Sequence, residues 1–204
     1  MASVTILIPN RNEPDLAETI TGLLDLKVEI LIADDLEGRG IGWAIRDGLE
    51  LVTTRWVIIA MADGSEHPEC LSMMIDAIDE RSLAVWGDRW DRGYTFGYPR
   101  VKRLFNRVGN YLIAYLSGRQ IPYFDWTDLA KAYRTDYLRT ITWSDDFRCE
   151  VEIPLRYHQR FIATAECPPV VPMIWRERTR GESAYRVKHA WGSLLALGKV
   201  LLYG

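Results

Sequence analysis

The chain has 204 residues and a formal net charge of −3, with 48% apolar and 26% charged residues. That ordinary globular mixture excludes a disordered or collagen-like chain. Cys70, Cys149 and Cys167 stand far apart without a CxxC pair, and His67, His158 and His189 are equally scattered. This argues against a disulfide scaffold, a structural zinc site or a His-rich metal site, and points to a reducing, cytoplasmic compartment. The charge is uneven: residues 1–88 hold 6 basic and 17 acidic residues, residues 89–204 hold 19 and 11. An acidic half suits a cation and a basic half suits phosphates, although two solvated surfaces of opposite sign would read the same way. Interleaved charges and the lack of a binding motif exclude nucleic acid as a partner.

Val4–Pro9 is a continuous apolar run, as expected of a strand covered on both faces. Pro14 suits the first turn of the helix that follows over Asp15–Leu24. Val28–Ala33 is a second strand, ending in Asp34 and Asp35. A helix over Trp43–Val52, a strand over Trp56–Met61, a helix over Pro68–Ile78 and a strand over Leu83–Gly87 complete four β units. This order predicts an α/β fold, a mostly parallel sheet with helices on both faces. Ligands of such sheets sit at the carboxyl ends of the strands, where Asn10–Glu13, Asp34, Asp35, Asp63, Asp88 and Arg89 fall.

The second half is less regular. A basic loop over Arg89–Arg100 leads into a helix over Val101–Leu116, and Asp125–Arg134 reads as extended. A helix is predicted over Phe147–Arg160, strands over Phe161–Cys167 and Val170–Trp175, and a loop over Arg176–Ser183 before a last amphipathic helix, 185–203. The apolar run Ala190–Leu202 is too short to cross about 30 Å of hydrocarbon. Burial explains it; peripheral contact with a membrane surface and a homo-oligomer contact are the alternatives left open. No secretory signal, internal repeat or linker is evident, so one domain is expected over 1–204.

Two candidate sites compete. Gly38, Gly40 and Gly42 follow a strand, but the third small residue of a dinucleotide-binding turn is missing and the acidic pair precedes them, so NAD and FAD are rejected. Asp63, in Met61–Pro68, ends a strand where a carboxylate is exposed to the crevice and suits Mg²⁺ or Mn²⁺ against a diphosphate; Glu66 is within reach of the same ion. Helix capping by Asp63, Ser65 or Glu66 explains the same residues without a ligand.

Taken in order, the motifs resemble family-2 glycosyltransferases of the GT-A fold, and among them the dolichol-phosphate mannose synthases and polyprenyl-phosphate glycosyltransferases. Ile8–Glu13 (IPNRNE) resembles their I-P-x-x-N-E, Ile32–Asp35 their V-D-D strand end, Gly42–Leu49 their G-x-A-x-x-x-G-L helix and Met61–Glu69 their DXD segment. Gly87–Trp90 matches G-S-R-Y, Asp125–Arg134 matches D-x-T-x-x-x-[KR]-x-Y-R, and Pro172–Ser183 matches P-x-x-W-x-x-R-x-x-G-x-S.

The resemblance implies a metal-dependent, inverting transfer of a sugar from a nucleoside diphosphate sugar, GDP- or UDP-linked, to a polyprenyl phosphate at the cytoplasmic face of a membrane. Residues 1–88 would form the nucleotide half and 89–204 the acceptor half. It further implies that Pro9, Arg11, Glu13, Asp34 and Asp35 frame the nucleotide, and that Asp63 with Glu66 holds the metal. Arg89, Asp125 and Arg178 would join Asp63 in catalysis, and Arg100, Arg178 and Ser183 would bind the acceptor phosphate. The chain departs from the pattern at Met61, where an Asp is usual, at Ser65, at Arg11, which replaces an aromatic, and at Ala184, which replaces a lysine. Two other readings stand beside it. One is a soluble transferase with a saccharide or small-molecule acceptor, needing Asp125, Asp128 or Glu150 as base; the other is a non-catalytic sugar-nucleotide binder.

Overall fold

Apolar residues on both faces of the first strands demand helices above and below them, and a computed structural model shows that arrangement for residues 3–116, 125–161, 168–178, 180, 192, 195 and 197–199. The elements are β1 (Val4–Asn10), α1 (Leu16–Leu23), β2 (Glu29–Asp34), α2 (Ile41–Leu51), β3 (Trp56–Ile59), α3 (Pro68–Asp76), β4 (Ala84–Asp88) and β5 (Tyr94–Phe96). They continue with α4 (Arg100–Leu116), β6 (Lys131–Arg134), α5 (Thr135–Leu138), α6 (Cys149–Phe161), β7 (Val170–Pro172) and β8 (Ile174–Arg176).

Six strands form one sheet in the order β2-β1-β3-β6-β4-β7, and β5 pairs with β8 in a second, two-stranded sheet. Leu7 lies opposite Leu31 and Ile59 in parallel register. β6 alone runs against its neighbours, with Ala132 opposite both Ile58 and Val85. The sheet is therefore mostly parallel, as expected. Its side chains alternate with period two. Leu7, Val57, Ile59, Ala84, Trp86 and Tyr133 pack with α2 and α6 in one core. Ile6, Ile8, Ile58, Val85 and Ala132 pack with α1 and α3 in the other. Trp86 anchors the first core, its ring 5.3 Å from Trp126 and 5.6 Å from Tyr157.

Three expectations change. The extended stretch Asp125–Arg134 is a strand only over Lys131–Arg134, since Trp126 and Thr127 form a turn before it. Val170–Trp175 is two strands rather than one. The amide of Met173 donates to Asp88 O at 2.9 Å while its carbonyl accepts from Tyr94 N at 2.8 Å, which hands the chain from one sheet to the other. Phe161 ends α6 instead of opening a strand. The rest of the strand expected over Phe161–Cys167 lies outside the described residues, as do Ser183 and Ala184 and most of the helix 185–203. Among the described residues no helix is long and apolar enough to cross a membrane.

Candidate active site

The carboxyl ends of β1, β2 and β3 meet at one crevice. After β1 the chain turns at Asn12, whose φ is +54°, and Asn10 Oδ1 accepts from the amide of Glu13 at 3.1 Å. After β3, Asp63 and Gly64 form a tight turn in which Asp63 Oδ1 accepts from Ser65 N at 3.1 Å. Gly64 has φ +63°, a left-handed conformation that favours glycine. The turn is braced on one side by Thr19, whose hydroxyl donates to Ala62 O. β8 braces it on the other, since Arg176 N donates to Ser65 O and His67 N to Ile174 O.

That bracing brings Arg178, two residues beyond β8, over the crevice. Its guanidinium donates to Glu13 Oε2 at 3.1 Å and to Asp63 Oδ2 at 2.6 Å. Three residues from remote parts of the sequence thus form a carboxylate–guanidinium–carboxylate bridge, largely shielded from water. Arg180 approaches Asp15 at 3.6 Å beside it.

At the end of β2, Asp34 Oδ1 accepts from Asn10 Nδ2 at 2.5 Å. Asp35 is buried, and its two oxygens accept from the amides of Arg39 and Gly40 at 2.7 and 2.8 Å. It therefore secures the entry of α2, and each oxygen keeps acceptor capacity for a ligand. Arg11 lies 4.0 Å from Asp35, largely exposed.

At the ends of β4 and β6 lies a buried charge cluster. Arg89 Nε and Nη2 donate to the two oxygens of Asp125 at 2.5 and 2.9 Å, and Asp128 Oδ2 lies 3.5 Å from Nε. Lys131 Nζ donates to the Asp128 carbonyl. Burial pushes the Asp125 carboxyl up, but the charge and hydrogen bonds of Arg89 outweigh it and leave the group below its ordinary range. Burial dominates at Asp128 and raises it, and lowers Lys131. Glu150 is driven up to about 8, first by burial, with Arg89 and Lys131 opposing and Asp128 and Asp125 adding to the shift. Arg89, to which the resemblance gives a catalytic role, is thus engaged inside the protein. Arg100 is exposed at the start of α4.

Glu66 turns inward: Oε2 accepts from Met61 N at 3.1 Å, while Oε1 is buried with no hydrogen-bond partner among the described residues. Burial, then the charges of Asp128 and Asp63, raise its pKa to about 8. Among the described residues no three His, Cys, Asp or Glu side chains gather as a complete metal cage. The donor set nonetheless fits a hard cation that brings water and phosphate oxygens with it, because Mg²⁺ needs only one or two protein carboxylates. Asp63 sits at the strand ends with its oxygens held by Ser65 N and Arg178, and the orphaned Glu66 oxygen leaves a spare acceptor close by in the chain.

Lys131 occupies the [KR] position of the segment Asp125–Arg134, but no role attaches to it from the sequence; its burial beside Asp128 comes from the fold. Sequence reasoning passed over Asn110, buried on α4, whose Oδ1 accepts from Trp126 N at 2.6 Å and fixes the loop that carries Asp125. The only sequence signal for Asn110 is a polar residue on the otherwise buried face of an amphipathic helix.

Comparisons with known proteins agree on the class. The family described as Glycosyl transferase family 2 matches residues 36–142. An undecaprenyl-phosphate mannosyltransferase of Micrococcus luteus is 27% identical over 215 residues, covering 88% of this chain and 86% of that protein. Glycosyltransferase AglJ of Haloferax volcanii is 28% identical over 71% of this chain, and a dolichyl-phosphate hexose transferase of the same organism 29% identical over 70%. This chain spans 46% and 59% of the lengths of those two proteins. Among solved structures, glucosyl-3-phosphoglycerate synthase of Mycobacterium tuberculosis with Mn²⁺, UDP-glucose and phosphoglyceric acid superposes with a TM-score of 0.72. It covers 98% of this chain and 79% of that one at 14% identity, a likeness of fold.

Proposed function

The chain belongs to glycosyl transferase family 2, and from that membership we propose that it transfers a sugar from a nucleoside diphosphate sugar to a polyprenyl phosphate at the cytoplasmic face of a membrane. The observation that carries the reading is the bridge of Arg178 between Glu13 and Asp63. It gathers a cation and two carboxylates at the strand ends, where open α/β sheets bind ligands. The polyprenyl acceptor is favoured by the names of the relatives that act on undecaprenyl and dolichyl phosphates.

In this reading residues 1–88 hold the donor. Pro9, Arg11, Glu13, Asp34 and Asp35 frame the nucleoside, and Asp63 would hold Mg²⁺ or Mn²⁺ together with Glu66, which would give up the proton that burial favours; the ion when bound neutralises charge on the diphosphate. The residues after 88 meet the acceptor. A lipid phosphate is anionic at neutral pH, so its oxygen forms the bond to the anomeric carbon without a base, as the bond from that carbon to the diphosphate breaks. Attack opposite the leaving group inverts the anomeric centre. Arg178, drawn from its carboxylates to a phosphate, supplies charge-assisted hydrogen bonds where negative charge collects. Arg89 and Asp125, locked together inside, position the loops after β4 and before β6. Arg100 and Ser183 complete the acceptor side.

The carboxyl chemistry supports a phosphate acceptor over a saccharide one. A hydroxyl acceptor needs a base, but Asp125 is locked in an ion pair with Arg89, Asp128 is buried beside the same arginine, and Glu150, raised to about 8 by burial, holds its proton at neutral pH. The test is incubation with labelled GDP- and UDP-sugars, Mn²⁺ and either undecaprenyl phosphate in detergent or water-soluble saccharides. The reading expects label in the lipid extract, lost in Asp63→Ala. Label only in a soluble product would replace the acceptor, and no transfer to either with intact nucleotide binding would leave a sugar-nucleotide binder.

A further inference from the structure

The loop ahead of α6 is seated on the entry of α2, far away in the chain. Trp143 Nε1 donates to Gly42 O at 2.8 Å, and Trp43 N donates to Asp145 O at 3.0 Å. Arg46 closes the contact from α2, giving Nη2 to Trp143 O at 2.7 Å and Nη1 to Asp145 Oδ1 at 2.8 Å. The two backbones touch, since a Cβ on Gly42 would collide with Ser144 O. This same entry holds Asp35, whose two oxygens accept from the amides of Arg39 and Gly40. Residues 36–39 are exposed, so beyond β2 the seated entry is what orients the Asp35 carboxylate.

Glu152 in turn sets the loop. It lies in the first turn of α6 and is 2% exposed. Its Oε2 accepts from Ser144 N at 2.5 Å, and its Oε1 accepts from Ser144 Oγ at 2.9 Å. Both oxygens thus serve one serine. A carboxyl removed from water needs such partners. Its neighbours Val151 and Ile153 are apolar and buried, so an acid at this place departs from the core pattern, and the loop accounts for it.

We propose that Glu152 is a positioning residue for the donor nucleotide: by clasping Ser144 it seats the 143–145 loop on α2, and so holds Asp35 in place for the nucleoside. The inference rests on the proposed placing of the nucleoside against Asp35. Glu152 acts through the loop and touches no substrate. It does so from the half of the chain assigned to the acceptor. A carboxylate already oriented for its ligand lowers the ordering cost of binding. Loss of the clasp therefore weakens nucleotide binding before it alters the chemical step.

The experiment is calorimetric titration of GDP and UDP, each with Mn²⁺, into the unaltered chain and four variants. These are Glu152→Ala, Glu152→Gln, Ser144→Ala and Ile153→Val, each studied below its own melting temperature. Glu152→Ala should lose about tenfold or more in affinity for the nucleotide that the unaltered chain binds. Ser144→Ala keeps the amide and should lose about threefold; it carries the test if Glu152→Ala does not fold. Glu152→Gln can accept from Ser144 N and donate to Ser144 Oγ, so its affinity should stay near that of the unaltered chain. Ile153→Val trims the buried face of α6, and should melt earlier with its affinity unchanged. In turnover, Glu152→Ala should raise KM for the donor and leave kcat within about twofold. Unchanged affinity in both Glu152→Ala and Ser144→Ala overturns the proposal. So does an equal loss in Ile153→Val, which would mark a general loosening of α6. In either case the transferase reading stands, whereas binding of neither nucleotide by the unaltered chain overturns both.

Discussion

Arg178 donates to Asp63 Oδ2 at 2.6 Å across 115 residues of sequence, and the same guanidinium holds Glu13 at 3.1 Å. The crevice therefore carries its own counter-charge. An incoming diphosphate competes for the arginine, and an incoming cation competes for the aspartate, so each ligand eases the entry of the other. Arg178→Ala is expected to lower turnover by about 10²–10³-fold, the usual cost of removing one preorganised donor to developing negative charge. Arg178→Lys should recover only part, because a lysine has no fork to span two partners. Steady-state kinetics on both variants checks this, and wild-type turnover in Arg178→Ala would contradict it.

The buried pair of Arg89 and Asp125 governs stability. Asp125→Ala leaves a buried guanidinium without its bidentate partner, for which about 3–5 kcal/mol is the expected loss. The double variant Arg89→Met/Asp125→Ala removes both charges and should be more stable than Asp125→Ala alone. Urea denaturation of both gives the comparison; a double variant no better than the single one would mean that the pair is not the source of the loss.

Glu150 sets a pH dependence. Its folded pKa of about 8 lies above the ordinary 4.5, so the folded state holds the proton more tightly than the unfolded chain. The resulting stability is complete below pH 4.5 and drains away as pH rises towards about 8. The melting temperature should fall across that window, and less steeply in Glu150→Gln. Part of the slope should remain, because burial also raises Glu66, to about 8, and Asp128 and Asp88. A melting temperature that rises with pH there would contradict the assignment.

Gly40 tests the entry to α2. Its φ is +123°, and a Cβ built on it would stand 2.5 Å from the Asp145 carbonyl. Gly40→Ala therefore meets both backbone strain and a backbone clash, and should cost at least about 1 kcal/mol. Because Gly40 N donates to Asp35, nucleotide affinity should fall with it. Calorimetric melting and nucleotide titration read the two effects; no change in either would refute the role given to this turn.

How far the sequence reveals all this depends on where each signal lies. The first four strands are legible because both their faces are apolar, and the helices between them because period and proline agree. β6 is legible only as part of a longer extended stretch, since its place between β3 and β4 is decided by partners far along the chain. The split of β7 from β8 at Met173 rests likewise on contacts with Asp88 and Tyr94, which no local pattern records. Within the site, Glu13 and Asp63 stand out as acids at strand ends. Nothing local to Arg178 says that it will lie between them, and nothing local to Arg89 names Asp125 as its partner. The helical period of α4 is equally plain, yet only the folded chain shows that the apolar side faces outward.

The account rests on the crevice at Glu13, Asp63 and Arg178 being a cation-assisted nucleotide site. Calorimetric titration of UDP and GDP into the protein, each with Mn²⁺ and with EDTA, addresses that most directly. The prediction is micromolar binding of one nucleotide, weakened about tenfold or more by EDTA and by Asp63→Asn. Binding of neither nucleotide under any of these conditions would contradict it, and would leave family membership without a working donor site.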